Sequence, residues 1–175
     1  MQFGKPATFA IDCVHEPIPN EKGWVFGRMR IWVGGSRLGD FDAPACLLNV
    51  TAARLDGVIG RLSDLADPAL EDLTDSQLYE LLDKAIYRDD QQTPAQVAAD
   101  AERFFKFDFL TNGGESFDGF KSFITGGSGH VRILFAGLGS EPVGARLDAV
   151  AFLATVTAFL GWLRAEAKNA GQPVV

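Results

Sequence analysis

Histidine and cysteine are scarce in this chain, with two of each among 175 residues. Cys13 and Cys46 make no disulfide framework, and neither stands in a C-x-x-C or zinc spacing. That usage fits a reduced compartment, so a cytoplasmic protein is expected. Few histidines also means few possible nucleophile–base pairs. His15 and His130 both fall in predicted strands, where a structural or surface role is the expectation. Cys13 would share a strand face with His15. Cysteine is among the most buried residue types, however, and no thiolate pair is read there.

A basic excess is missing as well. Sixteen bases against 23 acids leave a net charge of −7. That argues against a nucleic-acid binder, which needs Lys and Arg for phosphate. Long apolar runs are absent too. The longest uncharged one, Ala149 to Leu163, has 15 residues, which is short for a bilayer and reads as a buried helix. The N-terminus, MQFGKPATFAID, lacks the basic-then-apolar order of a signal peptide, so none is expected.

Phosphate and metal motifs are missing in turn. Gly126-Gly127-Ser128-Gly129 joins two predicted strands, lacks a following Lys-Ser/Thr and opens no helix. Gly34-Gly35-x-x-x-Gly39 is followed by a strand, which excludes a dinucleotide fingerprint. Asp40-x-Asp42 and Asp89-Asp90 lack the spacing and glycine of a calcium loop. No catalytic residue, cofactor or metal is assigned.

What is present is organised around residues 24–41, WVFGRMRIWVGGSRLGDF. Val25, Gly27, Met29, Ile31 and Val33 alternate with Trp24, Phe26, Arg28, Arg30 and Trp32, the period of a half-buried strand. Gly34-Gly35 permits a reversal, and Arg37 to Phe41 returns as the partner strand. The face that mixes tryptophan with arginine has two readings. The aromatics pack beneath helices while arginine stems cover them, or they anchor a ligand or partner groove.

Before this hairpin, residues 7–15 read as a strand ended by Pro17 and Pro19. After it, apolar spacing predicts a helix over about 46–65, with Gly57 and Gly60 inside it. Asp67-Pro68 reads as a linker. Thr74 and Gln77 form a capping-box pattern that opens a helix to about residue 88, whose buried stripe is Leu78, Leu81, Leu82, Ala85 and Ile86. Pro94 suits the first turn of a further helix through Phe104. Residues 105–111 read as a strand, and 119–125 with 130–136 as a second hairpin. The last helix, about 146–168, is apolar nearly all round and belongs in a core. Strands joined by short turns favour an α+β fold in one domain over residues 1–175. Its expected form is a largely antiparallel sheet of about six strands with two hairpins, packed against about four helices including the buried C-terminal one.

Charge is segregated. Residues 64–90 hold nine acids and two bases, so the remaining 148 residues, with 14 acids and 14 bases, are neutral. Within this segment Asp75, Tyr79, Asp83 and Tyr87 lie four apart and share a slowly drifting helix stripe.

Three pieces at the hairpin resemble a known family. They are the T-F-A-I strand (Thr8 to Ile11), the W-x-F-G start (Trp24, Phe26, Gly27) and G-G-x-x-x-G-D (Gly34, Gly35, Gly39, Asp40). Together they look like a bacterial immunity-protein family of polymorphic toxin systems, over roughly the first 50 residues. The resemblance implies a protein that binds and blocks a cognate toxin domain and performs no catalysis. A neutral body with one acidic segment suits a basic partner, as a nuclease must be to hold phosphate. On that reading Asp64, Asp67, Glu71, Asp72, Asp75, Asp83 and Asp90 supply the charge, with Tyr79 and Tyr87 as rigid anchors. The other reading of the segment is a solvated face that keeps the protein soluble. A different class of function, a small-molecule-binding protein or enzyme, would use a pocket lined by Trp24, Phe26, Trp32 and an arginine. A third is a scaffold acting by self-association.

Overall fold

Gly34 and Gly35, at φ +58° and +87°, reverse the chain between β3 (Phe26–Val33) and β4 (Ser36–Leu38) in the computed structural model, which describes residues 1–88 and 92–170. Two successive positive φ values make a type I′ turn, whose twist matches that of the strands it joins. β3 is the hub of the first sheet. It pairs antiparallel with β2 (Phe9–His15) and β4, and with the short β5 (Cys46–Leu47); β1 (Gln2–Gly4) lies outside β2. Alternation runs as the sequence predicts. Met29, Ile31 and Val33 are buried, while Phe26, Arg28, Arg30 and Trp32 are half-buried on the other face.

A second antiparallel sheet has the order β6 (Phe120–Gly127), β7 (His130–Gly137), β8 (Val143–Asp148). Gly126 and Gly127 belong to β6, not to the turn. A Cβ at Gly127 would stand 2.0 Å from Glu71 Oε1, so only glycine admits that carboxylate.

Five helices pack on these sheets among the described residues. α1 (Leu48–Gly60) buries Leu48, Ala52, Leu55 and Val58. α2 (Pro68–Glu71) is a single turn whose cap is Asp67, accepting from the Ala69 N–H at 3.0 Å. α3 (Asp75–Tyr87) and α4 (Pro94–Phe104) each begin with a complete capping box, Thr74 with Gln77 and Thr93 with Gln96. α5 (Ala149–Ala170) touches α1 and both sheets. Its Phe152 ring lies 4.8 Å from Phe9 and 6.4 Å from Phe109, so one side chain ties the two halves of the core together.

The fold is α+β, with differences from expectation that have local causes. Among the described residues eight strands form two sheets where one of about six was expected, and five helices stand where about four were expected. β8 alternates Val143, Ala145 and Leu147 with Gly144, Arg146 and Asp148, but it runs without a break into the apolar helix, which was expected from about 146 and starts at Ala149. Residues 105–111 are not a strand. The segment opens as a 3-10 turn with Phe105 exposed, and the buried residues from Phe107 on follow as irregular chain that meets β6 through a single bridge, Asp108 to Phe123. The predicted helix over 46–65 starts as β5 and ends at Gly60, before a 3-10 turn at Leu62–Leu65. Asp67-Pro68 opens α2 instead of linking. α5 passes for a membrane span by length and composition. It buries only the stripe Phe152, Thr155, Val156, Phe159, Leu160 and Leu163, while Val150 and Leu153 face solvent at 75% and 41% exposure. Helix faces rich in alanine and threonine tolerate solvent, so apolar composition all round did not require burial all round.

Candidate functional site

The stripe of α3 that the sequence singles out faces the second sheet. Each of its four members meets a partner there. Asp75 accepts from Arg132 Nε at 2.8 Å. Tyr79 packs edge-on against Phe123, with ring centroids 5.3 Å apart. Asp83, 3% exposed, takes Lys121 Nζ on one oxygen and Arg88 Nε on the other, the latter at 2.6 Å. Tyr87 donates its hydroxyl to Asp108 at 2.7 Å. Burial pushes the Tyr79 phenol up to about 12, with the nearby Asp83 charge adding to it. Burial likewise raises Tyr87. The spacing signalled a continuous surface, and that surface is a partly buried seam: Asp83 is buried, Tyr79 and Tyr87 are half-buried, and the Asp75 side chain is 43% exposed.

The cue for the seam lay outside α3. Lys121 and Arg132 interrupt otherwise apolar strands, and a cation inside such a strand needs a counter-charge. Bases from outside the acidic segment reach its other members too. Arg146 Nη2 and His130 Nε2 stand 3.7 and 3.6 Å from Glu71, and Arg103 stands 3.8 Å from Asp67. Asp64 and Asp72 are exposed, with no ion pair among the described residues. Asp90 lies outside the described residues.

The hairpin's second face is an open sheet surface among the described residues. Trp24 is 40% exposed and stands edge-on to Phe26, with ring centroids 6.3 Å apart. The expectation that helices cover these aromatics is therefore corrected. The packing helices lie on the opposite side, where Leu48 of α1 reaches Gly27. On the open side one oxygen of Asp12 accepts from Arg30 Nε (3.1 Å), Arg30 Nη2 (3.1 Å) and Trp32 Nε1 (2.9 Å). The Arg30 guanidinium lies 4.8 Å over Trp32 and 4.5 Å over Phe41, and Arg37 lies 5.4 Å over Trp32. Asp12 thereby fixes Arg30 and Trp32 in place before any partner arrives, with Phe41 and Arg37 stacked against them.

Neither histidine is set up as a base for a nucleophile. His15 Nδ1 faces Glu166 at 3.2 Å and stacks edge-on to Trp162, while Cys13 is buried, its thiol pushed up to about 12 by desolvation.

A family model described as immunity protein 42, Imm42, matches residues 1–162. The chain belongs to the Imm42 immunity protein family. The match takes in both sheets and all of α1 to α4, and ends inside α5. It therefore extends well past the hairpin that carries the sequence resemblance. The crystal structure of CdiI from Burkholderia dolosa AUO158 shares the fold. It superposes with a TM-score of 0.65 over 93% of this chain and 99% of that one, at 19% identity. No curated protein matches the chain. The Imm42 fold here thus presents two surfaces of different character, a small set of free carboxylates around α2 and a preordered Trp–Arg face on β3.

Proposed function

We propose that this Imm42 chain binds a cognate toxin domain and neutralises it by occlusion, without turnover. Membership of an immunity family over residues 1–162 carries the reading. The hydrogen-bonded Asp12–Arg30–Trp32 cluster supports it, since a preorganised surface loses little entropy on binding.

For the contact, the acidic reading narrows to the exposed carboxylates beside α2, Asp64 and Asp72, with the part-exposed Glu71 and Asp67 at the edge. A basic partner, such as a nuclease domain, is the complement of that face. Asp75, Asp83, Tyr79 and Tyr87 support it from beneath by holding α3 to the sheet. The Trp32–Arg30–Asp12 cluster favours a second contact surface, because fixed tryptophan and arginine are the commonest dominant anchors of protein interfaces.

The test is co-expression of this chain with the toxin domain encoded beside it, scored by rescue of growth, then binding kinetics on the purified pair. Asp64→Lys with Asp72→Lys should slow association several-fold and flatten its salt dependence. Trp32→Ala should speed dissociation instead. Failure to rescue growth or bind the toxin would remove the function; unchanged kinetics in either variant would remove that surface alone.

A further inference from the structure

A second kind of site lies away from both surfaces. The end of α1, the end of α4 and the 3-10 turn Phe105–Phe107 enclose a cleft of about 410 Å³. Three cations line it, Arg54, Arg61 and Lys106, in a molecule whose net charge is −7. Its acids are Glu102, exposed on α4, and Asp108 on the floor, 3% exposed.

Arg61 is the unusual member. Its Nε donates to the Lys106 carbonyl and its Nη2 to the Asp108 carbonyl, each at 3.2 Å. Both partners are neutral, and among the described residues no carboxylate stands within 4.0 Å of this guanidinium. Two fixed bonds aim the fork and leave its other donors open. Burial already opposes its charge, drawing Arg61 below the ordinary arginine value. The Asp108 charge works against that effect, but no Asp108 oxygen pairs with Arg61 within 4.0 Å. One Asp108 oxygen is taken by the Tyr87 hydroxyl at 2.7 Å, and the other meets Arg54 only at 3.9 Å. A partly desolvated cation without a counter-ion gains free energy from an anion placed beside it. Phe105, 53% exposed, adds an apolar wall at the mouth.

We infer that this cleft is a carboxylate-binding site: Arg61 takes the carboxylate on its planar fork, Arg54 and Lys106 add charge, and Phe105 contacts an apolar stem. The carboxylate comes either from a free small acid or from an acidic side chain of the bound partner protein. The site does not depend on the neutralisation reading, because a free acid probes it without any toxin.

The experiment is an NMR titration of the full chain with glutarate, against sodium chloride at matched ionic strength. Saturable shifts at millimolar glutarate, confined to the arginine side chains and the amides of residues 105–108, are expected. Arg54→Gln and Lys106→Gln should each weaken that binding at least about fivefold. Arg61→Gln should abolish it; because Arg61 also braces two carbonyls, the other two variants decide the matter if that one unfolds. Shifts that rise linearly, match those in chloride or persist unchanged in the variants would overturn the assignment. Repeating the titration on the toxin complex separates the sources. Displacement of glutarate by the toxin assigns the carboxylate to the partner, and undisturbed glutarate binding assigns it to a free acid.

Discussion

Arg132, 5% exposed in the central strand of the second sheet, donates through Nε to Asp75 at the first turn of α3, at 2.8 Å. The pair fastens a helix to a sheet, and it sits where Gly144 of β8 leaves room: a Cβ there would meet Asp75 Oδ2 at 2.4 Å. Arg132 Nη1 has no partner of its own among the described residues, so Asp75 is its main compensation. Asp75→Ala should lower stability by roughly 1–3 kcal/mol, because it strands a buried cation. Adding Arg132→Met should recover much of that loss. Urea midpoints across the double-mutant cycle measure the coupling, and additive single effects would show that the pair is not coupled.

Phe152 bridges Phe9 of the first sheet and Phe109 beneath the second. It is fully buried, so truncation removes packing on both sides at once. Phe152→Ala should cost about 3–5 kcal/mol, read from chemical unfolding. A loss below about 1 kcal/mol would mean that the site collapses around the gap.

Asp108 gives the protein a pH dependence of definite sign. Burial holds its carboxyl above the ordinary 3.8, against the lowering effect of the Tyr87 hydrogen bond. The folded state therefore keeps this proton more tightly than the unfolded chain does. Stability from this group is present below the unfolded value and falls as pH rises through the folded one. Asp108→Asn removes the titration while keeping an oxygen for Tyr87. The difference in stability between the variant and the original should grow in the variant's favour as pH climbs from acid to neutral. A difference that is flat with pH would contradict the shift.

Cys13 should be inert in the folded state. Desolvation raises its thiol to about 12, far above any working pH, and only the thiolate reacts. Alkylation at pH 8 followed by peptide mass analysis should find Cys13 unmodified until denaturant is added. Rapid modification of the native protein would show that β2 opens.

Much of this architecture was legible one residue at a time. The β3–β4 hairpin, the Thr74–Gln77 capping box and the second hairpin rest on local rules, since turn φ values, cap hydrogen bonds and strand alternation involve neighbours in sequence. The strand β8 was not read, because its short alternation of Val143, Ala145 and Leu147 passes directly into the apolar run of α5. The candidate surface was half legible. Spacing alone identified Asp75, Tyr79, Asp83 and Tyr87 as one face of a helix, yet spacing along α3 says nothing of what stands opposite. Lys121, Arg132 and Asp108 stand opposite, 21 to 57 residues away in the chain.

By itself the sequence determined the two hairpins, the capped start of α3 and the segregation of charge, because each follows from contacts between near neighbours or from simple counting. Only the tertiary structure decided which carboxylates remain for a partner. A charge is available only if no opposite charge reaches it, and Arg132, Lys121 and Arg146 reach the acidic segment through pairings made once the chain has folded. The same long-range pairing left Arg61 beside a cleft, bonded to two carbonyls and with no carboxylate within 4.0 Å among the described residues.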